Sequence, residues 1–186
     1  MISKTTVTEM NDYTIVIGQD SDCESPLSWI EDRLKVYVQD SRSLQYSHNI
    51  DELETCTDDN PTFEGYMENV RKETGCYVFA LVKYEHSNVA YYIGTPSCPW
   101  DSGYIGIVTV RKEHYETEVN AREFVDSIMD ELTKWANGEC YYYDITDNST
   151  DEFVDGCCGY IGFDNALECA KECIPKGKDY NIINKE

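Results

Sequence analysis

The chain has 186 residues, 41% of them hydrophobic, so it can bury a folded core and is not a disordered acidic segment. Its 36 Asp and Glu outnumber 15 Lys and Arg, which gives a formal net charge of −21. This charge repels nucleic acid and anionic membranes, so neither is expected as a direct partner. The N-terminal segment lacks the apolar core of a signal peptide, and the longest apolar run, 77–82, is too short to cross a bilayer. We therefore expect a cytoplasmic protein.

Apolar periodicity and turn residues divide the chain into ten elements. In chain order they are strands at 14–18 and 34–38, a helix at 62–74, strands at 76–84, 89–93 and 104–110, a helix at 119–136, strands at 140–145 and 153–161, and a helix at 163–174. The order ββαβββαββα is typical of an α+β fold with a mixed or antiparallel sheet and about three helices. We expect a single domain over 1–175 and a loose C-terminal tail over 176–186.

Two of the predicted helices carry recognisable end signals. Pro61 suits the first turn of the helix at 62–74, and Gly75 suits its stop. In the helix at 119–136, Asn120 is the predicted cap, with Glu123 three residues later. The apolar stripe of the first helix consists of Phe63, Tyr66, Met67 and Val70. Residues 39–60 are polar and are predicted to form a surface loop with one helical turn.

Neither a catalytic site nor a cofactor site is predicted. The chain has no phosphate-binding glycine motif and no G-x-S-x-G motif, and the three histidines are interpreted as surface residues: His48, His86 and His114. A zinc site is one interpretation of the four cysteines that lie close together near the C-terminal end of the sequence, Cys157, Cys158, Cys169 and Cys173. Adjacent cysteines on a strand point to opposite faces, however, so reduced cysteines buried in the core are the preferred interpretation. Nine cysteines cannot all pair internally, and in the cytoplasm they are expected to be reduced.

The peptide at 97–103, Ser-Cys-Pro-Trp-Asp-Ser-Gly, is the most distinctive in the chain. Asp101 can accept hydrogen bonds from nearby backbone N–H groups, and Gly103 can adopt a positive φ. Trp100 is expected to pack back onto the core as the anchor of a rigid turn. A binding site is the alternative role for this loop, whose candidate residues are Cys98, Pro99, Trp100, Asp101 and Gly103.

This loop and the strand at 104–110 resemble a family of small acidic proteins encoded by phages, plasmids and integrative elements of gut and other low-GC bacteria. Looser matches lie at Ser25-Pro26 with Trp29, in the Tyr-rich strand at 141–144, and at 154–162. The chain departs from the family where it has Cys157-Cys158 in place of Cys-Trp. The resemblance implies a genetic context without a mechanism: accessory genes of such elements often counter host defence, so the cytoplasm of a bacterial host is the expected location.

Charge and context together favour an anti-restriction or anti-CRISPR protein that acts as an acidic DNA mimic. Its partner would be a basic, nucleic-acid-binding defence protein of the host. A folded chain of this size carries about one net charge per ~430 Å², whereas duplex DNA carries about one per ~110 Å², so mimicry requires the acids to gather on one face. The candidate partner-binding acids are Glu116, Glu118, Glu123, Asp126, Asp130, Glu131, Asp144, Asp147, Asp151, Glu152 and Asp155.

Two alternatives to mimicry stay open. The chain can be a protein-interaction module whose Tyr-rich surface binds without imitating DNA, in which case binding survives high salt. It can also be an enzyme or a small-molecule binder, which requires a deep pocket with convergent polar groups. The scarcity of Lys and Arg argues against a nucleotide ligand. A solvated acidic surface without a partner is the plain alternative, and the sequence is also compatible with a homodimer.

Overall fold

The structure is a computed structural model, and it describes residues 11–30, 32–40, 42, 44–53 and 62–185. In chain order the elements are β1 (Tyr13–Gln19), β2 (Leu34–Val38), β3 (His48–Asn49), α1 (Phe63–Thr74), β4 (Tyr77–Glu85), β5 (Val89–Ile93), β6 (Ser102–Val110), α2 (Glu118–Ala136), β7 (Cys140–Asp147), β8 (Glu152–Ile161), α3 (Phe163–Glu172) and β9 (Tyr180–Lys185). Within the described residues the strands form two mixed sheets, which confirms the predicted α+β class.

The chain divides into two compact units. The first joins the chain up to Cys23 to the chain from Gly138 onward, and the second spans Glu24–Asn137. The first unit therefore consists of two separate stretches of sequence, and the second unit is the stretch of sequence that lies between them. The single domain over 1–175 stays a prediction.

The first unit is a four-stranded sheet in the order β8-β7-β1-β9 with α3 on one face. β1 lies in the interior, antiparallel to β7 and parallel to β9. Alternation along the strands turns Ile15, Ile17 and Ile145 to the face that α3 covers, where they pack against Ala166 and Ala170. Small residues on the helix allow its backbone to approach the sheet closely.

The predicted loose tail contains a strand, so that expectation is wrong. β9 pairs with β1 along its whole length, from Tyr180 opposite Tyr13 to Lys185 opposite Gly18. Its sequence, Tyr-Asn-Ile-Ile-Asn-Lys, lacks alternation, and residues 182–185 are exposed, so this edge strand has no buried face to impose one.

The second unit is a five-stranded sheet in the order β3-β2-β6-β4-β5 with a helix on each face. On one face, Met67 and Val70 of α1 pack against Val78 and Ile107, as the predicted apolar stripe requires. On the other face, the buried side of α2 packs against strand residues that include Leu81 and Val108. We call these the α1 face and the α2 face of the sheet.

A β-bulge interrupts the central strand of this sheet. Leu81 of β4 pairs with Gly106, but Val82 pairs with Tyr104, so β6 carries one extra residue at Ile105. A Cβ atom on Gly106 would lie 1.9 Å from the carbonyl oxygen of Tyr37 in β2. The position therefore requires glycine, because no side chain fits between the two backbones.

The helix ends follow local capping rules, with one difference from prediction. The N-cap of α1 is Thr62, and Gly75 ends the helix in the left-handed conformation (φ 66°), as expected; Pro61 lies outside the described residues. α2 starts one residue earlier than predicted, and its N-cap is Thr117, not Asn120. The Thr117 Oγ1 accepts a hydrogen bond from the Asn120 N–H at 3.2 Å. Within the part of the chain described, no helix has the length and apolar character needed to cross a membrane.

Candidate protein-binding surfaces

Three carboxylates form a row on the exposed side of α2. Glu123, Asp126 and Asp130 are exposed, and their spacings of three, four and seven residues place them on one side of the helix. We call these three residues the α2 ridge. At 1.5 Å of rise per residue, the ridge holds about one carboxylate per ~5 Å, compared with about one phosphate per ~3.4 Å on a DNA strand. The ridge therefore has about two thirds of the axial charge density of one DNA strand.

The charges around the ridge are not all negative. The Nε of Arg122 lies 3.7 Å from Oδ2 of Asp126. Partial burial raises the pKa of Asp126, the Arg122 charge opposes this, and the Asp130 carboxylate adds to the increase. Lys134 follows Asp130 by one helical turn. A partner must therefore bring enough positive charge to compete with these two cations.

The other acids predicted near α2 lie away from the ridge. Glu118 is exposed in the first turn of α2, where the helix dipole stabilises a negative charge, but it is rotated by about 140° from Glu123. Glu116 is exposed just before the helix. Glu131 is half-buried, and burial raises its pKa, with Lys134 opposing the change. The six predicted acids of this region thus reduce to three that share a side.

The second predicted set of acids does not share one face. In the β7–β8 pairing, Asp155 lies opposite Ile145, whose side chain packs on the side of α3, whereas Asp144 lies opposite Gly156 on the other face. A Cβ on Gly156 would meet both Asp144 and Phe153, so those two side chains share the face opposite α3.

The turn between β7 and β8 uses its acids for local structure. The Asp147 Oδ1 accepts hydrogen bonds from the Ser149 hydroxyl at 2.6 Å and from its N–H at 2.8 Å, and these bonds lower the pKa of Asp147. Asp151 has a left-handed backbone (φ 58°), and Glu152 is exposed as the first residue of β8. These residues shape a tight turn.

The loop at 97–103, which we call the tryptophan loop, is closed by Ser102. The Ser102 Oγ accepts a hydrogen bond from the Cys98 N–H at 2.8 Å and donates one to the Cys98 carbonyl at 2.7 Å. The Ser102 N–H donates to the same carbonyl at 3.0 Å. The Cys98 thiol also donates to Oδ2 of Asp101 at 3.4 Å.

Two further bonds attach the tryptophan loop to the sheet. The Ser97 N–H donates to the Tyr92 hydroxyl at 2.9 Å, and the Glu85 N–H donates to the Asp101 carbonyl at 2.8 Å. All the hydrogen bonds described for this loop come from backbone groups or from side chains other than Trp100. The geometry of the loop therefore does not depend on the indole ring.

The expectation that Trp100 anchors the loop on the core is wrong. Its side chain is 91% exposed, and Pro99 beside it is also exposed. Because the Ser102 bonds already close the turn, the ring is not needed for packing and projects into solvent. Gly103 does not have a positive φ, and a Cβ there would meet open space.

The tryptophan loop lies on the α1 face of the five-stranded sheet. Tyr91 is buried on the α2 face, so Tyr92, the next residue along β5, faces the other side. By pairing register, Tyr84 and Tyr104 share the face of Tyr92, and the ring of Tyr104 lies 4.7 Å from that of Phe63 in α1. The loop and the α2 ridge thus occupy opposite faces of one sheet.

The cysteines are more exposed than predicted. Cys157 and Cys158 are exposed on the edge strand β8, Cys173 is exposed at the C-terminal end of α3, and Cys169 within α3 is partly exposed. The described residues contain no group of three His, Cys, Asp or Glu side chains arranged to hold a metal ion. His86 is exposed, with its Nδ1 3.6 Å from Oδ1 of Asp101.

Sequence reasoning missed one further row of acids. Asp164, Glu168 and Glu172 are exposed on α3 at intervals of four residues. The helical spacing of the acids was the signal that could have found them.

Comparison of the chain with models of known families, with curated proteins and with solved structures finds no match.

Proposed function

We propose that the chain is a binding protein that occupies the DNA site of a basic, nucleic-acid-binding host defence protein and so blocks it by acidic mimicry. The observation that carries this proposal is the α2 ridge, whose three exposed carboxylates follow one line at about one and a half times the axial spacing of the phosphates on a DNA strand. The net charge of −21 supports the same partner, because it attracts basic surfaces over long range. Family resemblance supplies the expected setting, a mobile element acting against its bacterial host.

The ridge would work by presenting charge that is already in position. Helical side chains have fewer conformations to lose than those of a loop, so a basic groove meets carboxylates in a fixed row. Burial raises the pKa of Asp126 and the neighbouring Asp130 carboxylate adds to the increase; a cation that approaches the ridge relieves the repulsion between these two carboxylates. A chemical step is not needed for this function, and we propose a binder and not an enzyme.

The test compares two triple variants of equal charge change. E123Q/D126N/D130N removes the α2 ridge, and D164N/E168Q/E172Q removes the matching row on α3 as the control. Each is tested for the ability to displace DNA from a panel of host restriction and CRISPR nucleases at low and high salt. If each exposed charge pair contributes about 0.5 kcal/mol, the α2 variant binds about tenfold more weakly, whereas the control stays close to the parent chain.

Failure has two recognisable forms. Equal weakening by both variants would mean that only total charge matters and that the ridge is not the binding row. Absence of displacement from every nuclease, at every salt concentration, would contradict mimicry itself.

An interaction module without mimicry is the second candidate, favoured by the 91% exposure of Trp100. An exposed indole contributes binding energy mainly through apolar burial, which salt does not screen. Displacement or binding that persists at high salt would support this candidate.

A further inference from the structure

Trp100 has no role in the fold that would explain its presence. Burying a large apolar side chain contributes about 1.5–3 kcal/mol, and Trp100, at 91% exposure, gains almost none of it. The loop that carries it is closed by the Ser102 bonds and attached through Ser97 and Asp101. The result is an indole held on a pre-organised support, which reduces the entropy lost when a partner binds.

The sheet face that carries the tryptophan loop is aromatic. Tyr84, Tyr92 and Tyr104 present their side chains on the same face of the sheet, and Tyr104 is 45% exposed. Tyr92 is bonded directly to the loop through Ser97. Aromatic rings present a negative face, to which cations are attracted.

One carboxylate stands next to these rings. Asp101 follows Trp100 directly and is partly exposed, and the Nδ1 of His86 faces its Oδ1. Glu85 is joined to Asp101 through the backbone, but alternation along β4 turns its side chain to the α2 face, where it pairs with Lys83. A guanidinium group is the cation that suits an exposed indole beside a carboxylate best, because it can stack on the ring and pair with the carboxylate at the same time.

We propose that the tryptophan loop is a second protein-binding surface, and that it receives an arginine side chain of a protein partner on the Trp100 ring beside Asp101. This inference takes one element from the proposed function, which is the expectation that the partner protein is basic. It goes further in assigning a separate anchor on the α1 face, opposite the ridge.

The test uses nona-arginine and nona-lysine peptides with the full chain at about 0.15 M salt. Both peptides bind an acidic protein through charge alone, so the informative quantity is the effect of W100A on each. We expect W100A to weaken nona-arginine binding about three- to tenfold and nona-lysine binding less than twofold. W29A is the matched control, since Trp29 is 56% exposed in the same unit but lies outside the loop.

A second readout removes ambiguity about folding. The indole N–H signal of Trp100 in an NMR spectrum, assigned with W100F, should shift on addition of nona-arginine, and the thermal midpoint of W100A should match that of the parent chain. Equal affinity of W100A and the parent for nona-arginine would overturn the inference, as would an equal loss in W29A. An indole signal that shifts only with protein concentration would overturn it too, assigning the surface to a second copy of the chain.

These outcomes are separable from those of the mimicry test. Loss of peptide binding in W100A is measured without any nuclease, so it stands if no DNA-binding target is found. Conversely, displacement of DNA that depends on the α2 ridge stands if W100A binds both peptides like the parent chain.

Discussion

The close approach of two backbones at Gly106 gives a sharp test of the five-stranded sheet. G106A would place a methyl group 1.9 Å from the Tyr37 carbonyl oxygen and 2.9 Å from the Cα of Val38. These are backbone atoms of the neighbouring strand, so the strain cannot be relieved by rotating a side chain. The matched variant is G103A in the same strand, where an added Cβ meets nothing within 4 Å.

The magnitude follows from the distance. Real Cβ contacts are essentially never shorter than 3.0 Å, so β2 and β6 must separate by about 1.1 Å at this point. Such a shift lengthens hydrogen bonds of about 2.9 Å to about 4 Å, beyond their useful range. Losing about two bonds at ~1 kcal/mol each, with about 1–3 kcal/mol for overpacking, lowers the free energy of unfolding by about 3–5 kcal/mol.

Urea unfolding followed by circular dichroism measures this difference. With a slope of about 2 kcal/mol per molar, G106A should move the transition of the second unit down by about 2 M. G103A should change it by less than ~0.5 kcal/mol or stabilise slightly, because alanine restricts the unfolded chain. A loss below ~1 kcal/mol in G106A would refute the close approach of Gly106 to the Tyr37 backbone of β2.

Three further predictions concern single groups. T117A should lower the free energy of unfolding by about 1 kcal/mol and N120A by less than half of that, as measured by urea unfolding; the reverse order would return the cap of α2 to Asn120. Burial and a neighbouring thiol raise the pKa of Cys140 to about 12, so mass spectrometry should find it alkylated at pH 8 far later than the exposed Cys157. The hydrogen bond with Cys173, together with burial, raises the pKa of Tyr143 to about 12 from an unfolded value near 10. The neutral Tyr143 therefore stabilises the fold fully below pH ~10, and this contribution is lost as the pH rises from ~10 to ~12. In urea unfolding measured across this pH range, Y143F should remove this part of the pH dependence of the free energy of unfolding.

Local patterns predicted the elements that have one buried face. The strands 34–38 and 89–93 have the same bounds in the structure as in the prediction, since alternation in the sequence mirrors alternation in burial. β9 was missed because its residues 182–185 are all exposed, so the sequence carries no apolar–polar alternation to read. The division into two sheets was also missed, because the pairing of β1 with strands more than 100 residues away leaves no local signal.

The candidate site was predictable only in part. Helical spacing identified the α2 ridge. No comparable pattern shows that Asp144 and Asp155 lie on opposite faces of their sheet, because this depends on the pairing register of β7 and β8. The peptide around Trp100 was recognised as distinctive, yet the direction of the ring depends on whether other bonds close the loop. Ser102 closes it here, and sequence alone does not show that.

The interior position of β1 has a consequence for the order in which the protein can fold during synthesis. β1 leaves the ribosome first, but its partners β7 and β9 begin at residues 140 and 180. At about 5–20 residues per second, the ~120 residues between β1 and β7 take roughly 6–24 s to appear, and nearly all of them belong to the contiguous second unit, which is complete just before β7 emerges. During that interval Ile15 and Ile17 have no partner strand. Emergence of residues 180–185, and not any local step, therefore determines when the four-stranded sheet can close.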